Sequence, residues 1–158
     1  MAQPKRTWLD GPNIPGEYED PDAPARWPGE KLGLPQSGSG SLAPVGRRAL
    51  AVLIDWILAA LVASLIVHLT PAFGGQALVG YLVWVLLGIL TGWLFARTPG
   101  MMALGMGVAR LDNPGERVGF WRAAVRTILT AFFFPAAMVD SDGRGIHDRA
   151  TGTVVINA

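Results

Sequence analysis

The sequence predicts an all-α membrane protein: a two-span helical hairpin, a third helix that is re-entrant, interfacial or short-spanning, and a disordered N-terminal tail. Three observations predict it. Two apolar runs, from about Ala49 to Leu69 and from about Gln76 to Ala96, each have the length that crosses a hydrocarbon core of roughly 30 Å at about 1.5 Å per residue. Basic residues flank the outer ends of this pair and none lies in the turn between them. The first 45 residues hold eight of the prolines and six acidic residues, so averaging over the chain conceals a polar tail joined to an apolar core.

The tail, residues 1–45, reads as disordered. Its prolines oppose a regular helix, and its apolar content is too low to offset the entropy of ordering. Trp8, Tyr18 and Trp27 stand out as sparse aromatic contacts in this polar arm. No basic stretch followed by an apolar run opens the chain, so the first span is expected to act as an uncleaved anchor. The membrane domain is expected over 46–158.

The first span follows Arg47 and Arg48, and the second is closed by Arg97. The positive-inside rule therefore puts both ends, and the N-terminus, in the cytoplasm, with the Pro71–Gly75 turn outside. After the second span, Pro99-Gly100 breaks the helix. Asn113-Pro114-Gly115 is a turn signal between GMGVARL and RVGF, which predicts a small cytoplasmic β-hairpin or an extended loop. The third apolar region, about 120–139, begins with Arg122 and Arg126 and is interrupted by Pro135. Its uncharged part is short for a full span. A crossing would carry Arg144 and Arg149 outside, so a re-entrant or interfacial helix is favoured. The C-terminal TVVI reads as a short strand or extended end.

The residue that most needs explaining is Asp55, within the first span. An ionisable group near a span centre costs roughly 2.5–3.5 kcal/mol on insertion scales, so it needs a partner, a cavity or a task. Arg48 lies seven residues earlier, about 20° away around the helix and roughly 10 Å in height, too far for a relaxed direct pair. Ala51 and Ala59 share the Asp55 side, and Gly88 and Gly92 form a GxxxG on the second span, so Asp55 is expected to face the second or third segment. Two readings stand side by side. Asp55 is an internal clamp paired with Arg122, Arg126 or Arg149, or it binds a proton or small cation as the protein changes conformation. His147 beside Asp148 offers a proton relay, against a chain end stapled to the core by its charges.

Composition narrows the classes. The net charge of +1 argues against nucleic acid as a partner. The absence of cysteine excludes disulfides and thiolate metal sites. No phosphate loop, metal-spaced histidine cluster or nucleophile–base pairing is present, so neither an enzyme nor a metal or cofactor is expected. Asp140 and Asp142 start no calcium loop.

Three motifs in order resemble the RDD family of small bacterial membrane proteins, named for an arginine and two aspartates. The first is RALAVLID, giving Arg48, Ala51, Ile54 and Asp55. The second is Thr98-Pro99-Gly100 followed by LGMGVARLD, and the third is RGIHDRATGTVV, which places the second aspartate at Asp148. The resemblance covers about Gly46 to Ile156. It implies a multi-pass protein of the bacterial plasma (inner) membrane, with a transport role suggested and some members resembling cation/proton antiporters. The expectation is a non-enzymatic accessory protein whose hairpin is closed by Arg48, Asp55 and Asp148, embedded in the lipid bilayer and associated with itself or with a larger membrane complex. The alternative is a cation/proton transport component using Asp55.

Overall fold

A computed structural model of the chain describes residues 25–133 and 144–158. The fold is mostly helical. Helix α1 covers Val45–Leu69 and α2 covers Gln76–Phe95, joined by a 3-10 turn at Pro71–Phe73. α1 begins four residues before the apolar run because Pro44, held extended, opens it, which puts Arg47 and Arg48 inside its first turn. Both helices are long and apolar enough to cross a membrane. Only 22% and 17% of their most apolar windows are buried, so most of that apolar surface is left uncovered by the rest of the chain.

The buried face of α1 is one stripe, Arg48, Ala51, Asp55, Ala59 and Ala63, at helical spacing. Gly80 of α2 lies on this stripe, where an added Cβ would sit 3.6 Å from that of Ala63. Trp56 stacks on Trp84 with ring centroids 5.2 Å apart.

Helix α4, Phe120–Phe133, also packs on α2, on a face next to the one that meets α1. Phe120 meets Trp93 edge-on, Ala123 meets Gly92, and Thr127 meets Gly88. Rising numbers on α4 meet falling numbers on α2, so the two run antiparallel. The GxxxG of α2 therefore receives α4 and not the alanine stripe of α1. A Cβ at Gly88 would come within 2.8 Å of the Thr127 methyl, so the close approach depends on glycine. Pro135 and the remainder of the third apolar region lie outside the described residues, as do Asp140, Asp142 and the tail to residue 24.

The all-α expectation needs correction, because a two-stranded antiparallel sheet closes the same end of the bundle. Strand β1, Met106–Arg110, pairs with β2, Thr153–Asn157, in the register Met106 to Asn157 through Arg110 to Thr153. The predicted extended run at GMGVARL is present, and so is the C-terminal TVVI strand. They pair with each other, and no hairpin forms across Asn113–Gly115. The turn-forming loop closes through charge instead: Arg110 bonds Asp112 and Glu116, and Arg122 bonds Asp112. The Arg110 hydrogen bond, reinforced by Arg122, holds the Asp112 carboxyl well below the usual range.

The expected boundary at residue 45 also moves. Gly40 N–H donates to Asn157 O at 2.8 Å, Asn157 N–H to Ser41 O at 2.9 Å, and Ala43 N–H to Val155 O at 3.0 Å. Residues 40–43 thus lie along the outer edge of β2, whose backbone groups would otherwise lack protein partners. Ala43, Ala51, Met101, Met106 and Val155 form one apolar core between this sheet and the base of α1.

Candidate functional site: a buried charge network at the base of the hairpin

Among the described residues, Asp55 forms no ion pair with an arginine. Its Oδ1 accepts the backbone N–H of Gly100 at 2.7 Å, and the Thr98 side chain is its other hydrogen-bonding neighbour. Gly100 belongs to the short helix α3, Pro99–Ala103. A helix N-terminus leaves its first N–H groups without partners inside the helix. Here each is accounted for. Pro99 has none, Gly100 bonds Asp55, Met101 bonds the Thr98 hydroxyl, and Met102 bonds the Thr98 carbonyl at 2.9 Å. The Thr-Pro-Gly sequence, read above as a helix breaker, is a helix start. Its second cap is a carboxylate from another helix 45 positions earlier, and negative charge there also complements the helix dipole.

Gly100 is fixed by contact as well. A Cβ on it would fall 2.0 Å from the Ala51 carbonyl oxygen and 2.8 Å from the carbonyl carbon. Backbone therefore lies on backbone, which explains why Ala51 is fully buried one turn before Asp55.

Asp148 is the centre of a second arrangement. It lies on helix α5, Ile146–Thr151, and is fully buried. Its Oδ1 is held by Arg126 Nη1, which also donates to Thr153 Oγ1 at 2.7 Å. Its Oδ2 is 3.7 Å from Arg48 Nη1 and 3.6 Å from His147 Nε2. Arg48 uses Nε to donate to the Ala43 carbonyl at 2.8 Å. One carboxylate thus ties together α1, α4, α5 and β2. On α4, side chains tilt toward the helix N-terminus, so Arg126 reaches back to the sheet end where Asp148 sits.

The three expected residues therefore separate into two jobs. Arg48 and Asp148 meet, while Asp55 caps α3. Of the secondary candidates, Arg126 is the strongest partner of Asp148. Arg122 braces the periphery, donating to the Thr151 carbonyl at 3.1 Å and to Asp112 at 2.8 Å. Arg149 is exposed on α5. None of Arg122, Arg126 and Arg149 is the partner of Asp55, so the expected clamp pairing is corrected. A backbone donor took the place assigned to a guanidinium. Arg48, Asp55, Arg126 and His147 also line one cavity of about 70 Å³, room for a few waters. Among the described residues, no cluster of three metal-ligating side chains is gathered.

His147 is buried beside two guanidiniums. Burial, then the charges of Arg126 and Arg48, push its pKa down to about 3. The folded value lies below the unfolded one of about 6.5, so the unfolded chain binds the extra proton between them. Stability is complete above about pH 6.5 and falls as pH drops from there toward 3, by at most about 1.4 kcal/mol per unit. Thermal melts in detergent at neutral and mildly acidic pH are expected to separate for the native chain. His147→Gln is expected to bring them closer together.

The fold and the network define a class: a membrane protein built on two span-length helices, whose base is locked by buried charge. The chain belongs to the RDD family, whose model matches residues 42–152. No curated protein and no solved structure matches it.

Proposed function

We propose that this chain is a non-enzymatic, multi-pass protein of the bacterial plasma membrane that serves as an accessory, associating with itself or with a larger membrane complex. The observation that carries this reading is the Asp55–Gly100 hydrogen bond. A carboxylate engaged by a helix N-terminus does structural work in the resting fold. Exposed leucines on α1 and α2, among them Leu53, Leu61, Leu82 and Leu86, offer broad faces to lipid or to a partner helix.

The N-terminus is cytoplasmic in this proposal, because Arg47, Arg48 and Arg97 mark the sheet end of the hairpin. The antiparallel course of α4 along α2 and the pairing of β2 with β1 support a re-entrant third segment, with both flanks on the cytoplasmic side.

A second reading has its own observation. Four ionisable side chains, Asp55, Arg48, Arg126 and His147, line one otherwise apolar cavity, and a cation/proton transport component would need such groups gathered there. Proteoliposomes distinguish the two. The accessory role predicts no cation-driven proton flux above protein-free vesicles. It also predicts that Asp55→Asn costs about 1 kcal/mol of stability, since the amide oxygen still accepts the Gly100 N–H while the charge on the helix dipole is lost. Robust flux abolished by Asp55→Asn, with stability unchanged, would establish transport instead.

A further inference from the structure

A groove of about 640 Å³ runs along the first turn of α4, separate from the buried network. Phe120, Trp121 and Val125 form its apolar wall, and Arg122, Thr151 and Gly152 form its polar wall. Trp121 is 76% exposed and Phe120 53%. The T-shaped contact of Phe120 with Trp93, at 5.6 Å, fixes the depth of this groove at the end of α2, two residues before that helix stops. Aromatic side chains beside arginine at a span end occupy the lipid–water interface.

We propose that this groove binds an anionic phospholipid of the cytoplasmic leaflet. This rests on the orientation given above. The acyl chains lie along Phe120, Trp121 and Val125, and the phosphate faces the basic side. Charge complementarity supports the choice. Arg110 and Arg122 are matched by Asp112 and Glu116, so the excess positive charge comes from the exposed Arg117 and Arg149, next to Val118 and Ala150 of the groove wall. Asp112 also borders the groove, but Arg110 and Arg122 engage its carboxylate.

The test uses the full chain purified in detergent with phosphatidylglycerol and phosphatidylcholine of matched acyl chains, and counts retained lipid by native mass spectrometry. Phosphatidylglycerol is expected to be retained preferentially. Arg117→Gln and Arg149→Gln are each expected to lower that preference by roughly fivefold. Trp121→Ser is expected to weaken retention of both lipids, with melting unchanged. Equal retention of the two lipids, or indifference to all three substitutions, would overturn the site. Orientation is read separately in this cysteine-free chain. Arg117→Cys should resist a membrane-impermeant maleimide in intact cells. Labelling from outside would reject the orientation while leaving the retention result to judge the groove.

Discussion

Gly100→Ala is expected to destabilise the protein by on the order of 3 kcal/mol or more, and to reduce folded yield sharply. The added methyl would lie 2.0 Å from the Ala51 carbonyl oxygen. Relief cannot come from a flexible side-chain tip, because the opposing atoms are the backbone of α1. Overpacking a close contact typically costs about 1–3 kcal/mol, and a backbone clash sits at the upper end or beyond. Separating α3 from α1 would also stretch the Asp55 hydrogen bond, so two stabilising features fail together. Gly46→Ala is the control. It lies on α1, the helix against which Gly100 packs, with nothing within 4 Å of the new Cβ, and should change little. Thermal melts of both variants in one detergent make the comparison.

Asp148→Asn is the second large effect. It removes the carboxylate that serves both Arg48 and Arg126 while leaving two guanidiniums buried. Breaking a buried ion pair by removing one partner typically costs about 3–5 kcal/mol, because the remaining charge is left without compensation. Removing Arg126 as well, as Arg126→Met with Asp148→Asn, should recover part of the loss. The recovery is partial because Arg126 no longer lies buried beside a neutral side chain, while the Arg48–Asp148 pair and the Arg126–Thr153 hydrogen bond stay lost. A double-mutant cycle built from these variants reads the coupling directly. Strict additivity of the two single losses would show that the pair is not coupled.

The parts of the fold legible in the sequence were those set by local pattern. The two apolar runs gave α1 and α2 within a few residues, because length and flanking charge are local properties. GMGVARL and TVVI were legible as extended for the same reason. Their pairing was not, since no local signal links strands with residues 111–152 between them, and the Asn113-Pro114-Gly115 turn offered a nearer partner. The GxxxG was recognised as a close-packing surface, yet whether α1 or α4 fills it depends on the whole bundle.

The site divides in the same way. Arg48, Asp55 and Asp148 were identifiable as charges that burial makes costly. The partner of Asp55 was hidden because a backbone N–H has no letter in the sequence. One signal did point to it: Thr98-Pro99-Gly100 combines a capping hydroxyl, a residue with no N–H and a residue with no side chain, the composition of a helix start. Arg126 was visible only as a secondary candidate. Its reach to Asp148 follows from the direction in which α4 runs.

Native-state hydrogen exchange at the Gly100 amide tests the capping role of Asp55 most directly. The native chain should protect this amide, Asp55→Asn should retain most of the protection, and Asp55→Ala should lose it while the α2 amides remain slow. Gly100 protection unchanged in Asp55→Ala would contradict the cap, and with it the structural reading of the aspartate within the first span.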